Sequence, residues 1–282
     1  MTRRLILIST SDALSPRSAE LTRMISSIDA YVASGPGLDV TLFLLMQRCT
    51  PERQRDLRES LPAWVRLESI ATQISLSKAR NRMLATDMAG ADIDDNDIVG
   101  FPDDDCWYPA GTLETIHQAF DADPALDFWF CRYSSDPRSA AGAATVSPQL
   151  QTVISRASSN TIFLRGRVAR AIGGFDEELG VGARLAGGED TDYAIRAFQT
   201  ARTSAFLDMA SIGHRDPDKR FRAKYYPGAL RAISKNTRGR MADLQALTRK
   251  LLVGFWLILR GQMPAKTYLF ALANMLSSRT GS

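Results

Sequence analysis

Hydrophobic and polar positions along the chain fall into short blocks of two alternating periods. Leu5–Ile8 is a continuous apolar run, Val40–Met46 is broken only by Thr41, and Trp64–Ile70 alternates. Runs of this length read as strands, and unbroken ones as strands covered on both faces. Between them the period changes. Leu21, Met24, Ile25, Ile28 and Tyr31 follow helical spacing after Ser15-Pro16, which reads as an N-cap followed by proline at the first helical position. Ser34-Gly35-Pro36-Gly37 ends that helix, Thr50-Pro51 opens a charged, exposed one, and Leu76–Ala89 forms a third, stopped by Gly90.

The pattern continues with a strand at Ile98–Phe101 and a helix after Pro109 that puts Leu113, Ile116 and Phe120 on one face, with His117 packed at its edge. Phe128–Cys131 and Thr161–Leu164 read as strands, Ser134–Ser147 as a mobile surface loop, and Val168–Ile172 as a short helix. Ala194, Ile195 and Phe198 mark a further helix, and Phe206-Leu207-Asp208 a last strand. Strands alternating with helices predict an α/β fold, a mixed, mostly parallel sheet with helices on both faces.

Composition narrows the class. Hydrophobic residues make up 45% and charged residues 23% of the 282 positions, as in an ordinary globular protein. Cys49, Cys106 and Cys131 are odd in number and form no CxxC pair, which argues against a disulfide framework and a zinc site and for a reducing compartment. Leu5–Ile8 is too short for the core of a signal peptide, and no 18-residue apolar run predicts a membrane span. The expected location is cytoplasmic.

Charge is unevenly distributed. Residues 215–282 hold 14 Lys and Arg against 3 Asp and Glu, whereas residues 1–214 carry a net −7. This divides the chain into an acidic body, residues 1–215, and a basic, amphipathic helical tail, residues 216–282. In the tail, Leu251–Leu259 has no polar side chain and is flanked by Arg249, Lys250 and Arg260, and Leu269, Phe270, Leu272 and Leu276 repeat the pattern. Basic flanks around short apolar helices predict attachment to an anionic membrane surface, peripheral on the inner face of the cytoplasmic membrane; packing on the body or an oligomer surface leaves the same pattern. Apolar interruptions of the positive charge argue against nucleic acid.

Two acidic stretches carry the candidate chemistry. Asp103-Asp104-Asp105 follows a strand and Pro102. Adjacent carboxylates at a strand end need solvent or a cation, and Mg²⁺ or Mn²⁺ takes such oxygens together with substrate phosphates. In extended chain Asp103 and Asp105 share a face and Asp104 points elsewhere; a solvated acidic turn is the alternative. The second stretch, Glu189-Asp190-Thr191-Asp192, opens a helix after the glycine-rich Gly180–Gly188, and one member could act as a base. His214, one of two histidines, follows the last strand and could ligate a metal or sit in a polar loop.

Together these segments resemble the inverting glycosyltransferases of family 2. Leu76-Ser77-Lys78-Ala79-Arg80-Asn81 looks like the segment before that family's metal motif, Asp103-Asp104-Asp105 like its DxD motif, and Gly173-Gly174-Phe175-Asp176-Glu177 with Gly188-Glu189-Asp190-Thr191-Asp192 like its acceptor loop and ED motif. The resemblance spans roughly residues 5–215. It implies a GT-A (Rossmann-like) fold, here with a C-terminal helical tail, and metal-dependent transfer of a sugar from a nucleoside-diphosphate donor, a UDP-sugar first among them, to a saccharide or lipid-linked acceptor. It implies that Ser9, Ser11, Arg80, Asp103 and Asp104 bind the donor, Asp105 and His214 the Mn²⁺ or Mg²⁺, and Gly174, Phe175 and Asp192 the acceptor, with Asp190 or Glu189 as base.

The chain also departs from that pattern. Where the family carries an Asp-rich turn after the second strand, Met46-Gln47-Arg48-Cys49-Thr50 stands, and Ser9-Thr10-Ser11-Asp12 replaces its Tyr-Asn-Arg loop. Two competing classes are a sugar-nucleotide nucleotidyltransferase, for which Ser9–Ser18 supplies Arg17 but no glycine, and a catalytically silent adaptor that binds membrane or partner through the tail.

Overall fold

A computed structural model describes residues 4–35, 37, 39–85, 93–216 and 218–276. The strands are β1 (Arg4–Asp12), β2 (Asp39–Gln47), β3 (Val65–Ile70), β4 (Ile98–Gly100), β5 (Leu126–Ser134), β6 (Ile162–Arg165) and β7 (Thr203–Gly213). They form one seven-stranded sheet in the order β3-β2-β1-β4-β6-β5-β7. Every pairing is parallel except those of β6, which runs antiparallel to both β4 and β5. The sheet is therefore mixed and mostly parallel. Strand order reverses beside β1, so the crevice beyond the carboxyl ends of β1 and β4 is the switch point at which such sheets bind ligands.

The continuous apolar strands divide their side chains by the period of two. Leu5, Leu7, Leu42 and Leu44 face α1 (Ser18–Ala33) and α4 (Thr112–Ala122), while Ile6, Ile8, Phe43 and Leu45 face α3 (Leu76–Leu84), α6 (Gly166–Ile172) and α7 (Glu189–Thr200). α2 (Pro51–Ser60) buries no residue, as its charged sequence implies, and Thr50 caps it by accepting from Arg53 N at 3.2 Å. α5 (Leu150–Arg156) completes the body.

Several boundaries differ from expectation. The first helix begins at Ser18 and has no side-chain cap, because Ser15 accepts from Arg17 N within the preceding turn. α3 stops at Leu84 with Ala85 extended, and the rest of the expected helix falls in residues 86–92, outside the described ones. Ser134–Ser147 is not loose: Val146 exchanges both backbone hydrogen bonds with Phe206, Arg138 N donates to Ala210 O, and Ala140 is buried. Small residues there let the segment lie flat on β7. β7 itself runs well beyond Phe206–Asp208 because β5 pairs with it along its length.

Residues after β7 form α8 (Arg222–Lys235), α9 (Met241–Leu259) and α10 (Ala265–Leu276). α8 lies on the turn before α7 at backbone contact. A Cβ on Gly228 would stand 2.0 Å from Gly187 O, and one on Gly188 2.4 Å from the Gly228 carbonyl oxygen. Tyr226, Leu230, Leu257, Met263 and Ala271 form a separate small core among these helices. Among the described residues, no helix is long and apolar enough to cross a membrane.

Candidate active site

The first acidic stretch sits where the topology puts a ligand. β4 ends at Gly100, Phe101 is buried under Phe175 and Tyr193, and the chain then turns, with Cys106 N donating to Asp103 O at 3.1 Å. That turn, rather than an extended strand, brings Asp103 and Asp105 to one side. Asp104 stands outside that cluster, and its carboxylate accepts from Ser11 Oγ at the end of β1 at 2.7 Å. This contact spans the switch point.

His214 joins Asp103 and Asp105 from the far end of the chain. Trp107 and Gly213 exchange both backbone hydrogen bonds, 2.9 and 2.8 Å, which fixes the residue after β7 beside the Asp turn. A Cβ on Gly213 would strike the Trp107 ring at 2.0 Å, so only glycine allows that approach. His214 Nε2 lies 3.1 Å from Asp105 Oδ1 and 3.6 Å from Asp103 Oδ2. Its Nδ1 lies 2.7 Å from Arg215 O; a carbonyl only accepts, so the proton is on Nδ1 and Nε2 faces the carboxylates. One donor atom from each of the three residues lies within 4.8 Å of the others. Two carboxylate oxygens and an imidazole nitrogen so placed suit Mn²⁺ or Mg²⁺ with open positions for phosphate oxygens.

Cationic side chains surround this cluster. Arg17 approaches Asp105 at 3.6 Å and Asp104 at 3.8 Å, and Arg215 approaches Asp105 at 3.2 Å. Arg23 lies flat over Trp107 at 3.6 Å and donates to Asp105 O. Burial pushes the Asp105 carboxyl up, but hydrogen bonding and charge from His214, then Arg215 and Arg17, outweigh it and hold its pKa below the usual carboxylate value. Burial lowers His214, and the same contacts with Asp105 and Asp103 more than reverse that. Asp104 is raised, mainly by desolvation.

Arg80 ties the first stretch to the second. Its side chain is only 1% exposed, and its guanidinium reaches Asp103 at 2.8 Å, Asp190 at 3.3 Å and Ser159 Oγ at 2.7 Å. Burial still raises Asp103, with Arg80 opposing and Asp190 reinforcing. Asp190 is partly open, and its second oxygen accepts from Ser158 Oγ at 3.0 Å. Beside it Glu189 is buried, and desolvation together with Asp190 lifts its pKa to about 8.

The other expected residues are distributed unevenly. Ser11 is in the cluster, whereas Ser9 is buried with its hydroxyl 4.0 Å from the Met24 sulfur. Asp192 is fully buried; Arg196, Asn236 and Lys235 hold it at 2.9, 2.8 and 3.0 Å, which ties α7 to α8 instead of facing a ligand. Phe175 is also buried, stacked on Tyr193 at 4.1 Å, and Asn81 clamps its backbone through both amide atoms. Gly174 alone of that trio is exposed. His117 packs at the core edge between Tyr31 and Asp121. Where the Asp-rich turn is missing, Arg48 makes a bidentate pair with Asp12, Gln73 approaches the same carboxylate at 3.4 Å, and Arg48 takes a left-handed φ of 49°. Sequence reasoning did not assign Arg17, Arg23, Arg215, Ser158 or Ser159 to the site. The three arginines belong to no motif: Arg17 and Arg23 come from the start of α1 and Arg215 from the residue after His214, and only the fold brings them to the Asp turn.

No protein-family model matches the sequence, and no curated protein matches it. Solved structures match in fold. S. aureus TarS 1-349 superposes with a TM-score of 0.61 at 15% identity, over 89% of this chain and 71% of that one. The same fragment in complex with UDP gives 0.61 at 16% identity over the same shares. Mannosyltransferase PcManGT from Pyrobaculum calidifontis, in complex with GDP-Man and Mn²⁺, gives 0.60 at 16% identity over 100% of this chain and 77% of that one. These likenesses establish a GT-A-like fold.

Proposed function

We propose that this chain is a metal-dependent inverting glycosyltransferase of family 2. It moves a sugar from a nucleoside-diphosphate donor, a UDP-sugar being the first to test, to a hydroxyl of a saccharide or lipid-linked acceptor, in the cytoplasm, for a surface polysaccharide, capsule or glycolipid. The observation that carries this reading is the Asp103–Asp105–His214 cluster at the switch point, joined through buried Arg80 to Asp190. The fold neighbours in complex with UDP, or with GDP-Man and Mn²⁺, support it.

Asp103, Asp105 and His214 would hold the cation, which when bound offsets the charge that grows on the departing diphosphate. Arg17 and Arg215 have exposed guanidiniums beside Asp105 and take diphosphate oxygens. Asp104 and Ser11 shape the wall of the donor crevice. Asp190 accepts the acceptor's hydroxyl proton, oriented by Ser158 and Arg80, and the freed oxygen attacks the anomeric carbon opposite the leaving group. Glu189 stays protonated at neutral pH and does not compete for that role.

Titration calorimetry tests the reading. UDP and GDP should bind only with Mn²⁺ or Mg²⁺ present, and Asp105→Ala should abolish the cation-dependent part. Unchanged affinity in that variant would overturn the metal role.

A further inference from the structure

The apolar residues of α9 divide between two faces. Ala246, Gly254 and Leu257 are buried, while Leu252, Phe255, Trp256 and Leu259 recur at three- and four-residue spacing on the opposite side. α10 repeats this with Leu269 and Phe270 outward and Ala271 inward. These six large side chains remain between 46% and 70% exposed, on two consecutive helices. An apolar surface of this kind marks a contact with something else.

We propose that the outward face of α9 and α10 docks on an anionic lipid surface. Charge chooses the occupant. Residues 244–282 contain no Asp or Glu and five cations. Arg249 and Arg260 lie on the flank of the same face of α9, and Lys266 on that of α10. A second copy placed face to face would set these cations against one another with no carboxylate to pair them. Anionic headgroups pair with all of them, while the apolar side chains enter the acyl boundary. Arg260 stacks over the Trp256 ring at 5.0 Å, an apolar ring and a cation presented together, as a headgroup region favours.

The docked helices connect to the acidic pair. Tyr226 of α8 donates to Lys250 O of α9, and Gly228 of α8 lies against Gly187 and Gly188, the turn that opens α7 at Glu189. Lipid docking therefore anchors the helix that sets the position of the candidate base.

The test uses the full chain with phosphatidylcholine vesicles, with and without a third of the lipid as phosphatidylglycerol. Flotation should be several-fold greater on the anionic vesicles at about 0.05 M salt, and at about 0.5 M it should fall without vanishing, because salt screens charge and leaves apolar burial. Brominated acyl chains should quench Trp256, as the difference between the parental chain and Trp256→Phe. Phe255→Glu with Leu259→Glu should cut binding at least tenfold, with unchanged melting since both sites are exposed. Absent quenching in the parental chain overturns the proposal without recourse to any variant. So does flotation of the double variant at the parental level, or a lipid-free dimer that the same substitutions dissociate. Docking needs neither donor nor cation, so a chain that floats but transfers no sugar would sink the glycosyltransferase reading and leave this one standing.

Discussion

The two acidic stretches contain carboxylates at similar density but neutralise them differently. Around Asp104 and Asp105 the compensating groups are long side chains with water on one side, Arg17 and Arg215 at 39% and 59% exposure, and a histidine, while Asp103 shares the buried Arg80 with the second stretch. Around Glu189–Asp192 they lie deeper: Arg80 at 1% exposure, and buried Asn236 with half-buried Lys235 and Arg196 against a carboxylate at 0%. Exposed guanidiniums can exchange one anion for another at small cost, whereas buried pairs cannot be opened without leaving a charge in low dielectric. The first stretch is built to trade partners with a ligand. The second is built to hold still, with Asp190 as its one partly open carboxylate.

Substitutions that swap these properties should separate the two. Asp190→Asn should lower turnover by about 10²–10⁴-fold with donor affinity retained, read from steady-state kinetics beside calorimetry. Its neighbour two residues on should behave in the opposite way: Asp192→Ala removes the buried acceptor that joins Arg196, Lys235 and Asn236, though Arg196 keeps the Ile172 and Gly174 carbonyls and Lys235 keeps Asp176, and should destabilise the fold by about 1–3 kcal/mol in denaturant unfolding, with donor affinity unchanged in whatever fraction remains folded. If Asp192→Ala instead removed turnover at full stability, the assignment of roles within α7 would be reversed.

Glu189 adds a pH signature to the second stretch. Its folded pKa of about 8 lies above that of an ordinary glutamate, so between roughly pH 4.5 and 8 the unfolded chain has lost a proton that the folded chain retains. Stability from this group is therefore present at low pH and declines as pH rises, levelling above about 8. Glu189→Gln should remove that decline and be more stable than the parent by up to about 5 kcal/mol at the alkaline end, with no difference at the acid end. Thermal melts across pH would show it. The smallest effect belongs to the first stretch. Arg17→Gln and Arg215→Gln should each change stability by less than about 1 kcal/mol, as exposed pairs do, yet raise the donor KM. An Arg17→Gln variant with unaltered KM would place the diphosphate elsewhere.

The fold was legible in the sequence because its signals are local. Buried parallel strands write themselves as apolar runs, and Thr50-Pro51 states a helix start that the side chain then completes. The reversal of β6 was not legible, since Ile162–Arg165 reads the same in either direction. Much of the candidate site was visible as residue types at element ends, including Asp103, Asp105, Asp190 and His214. What the sequence did not separate was open from closed carboxylates: Asp190 and Asp192 differ by two positions, and only the packing of α8 buries one of them. The family resemblance gave Arg80 to the donor, and the fold spends its guanidinium on two carboxylates and a serine.

The paired backbone bonds between Trp107 and Gly213 bear on the kinetics of the site. Each amide donates to the other's carbonyl, so neither can meet solvent while its partner remains bonded. The two amides should show the same protection against hydrogen exchange, from a single opening that parts the Asp turn from His214. That opening is slower than any reorientation of Arg17 and Arg215, so the backbone frame that sets Asp105 and His214 side by side outlasts many exchanges of the side chains around it.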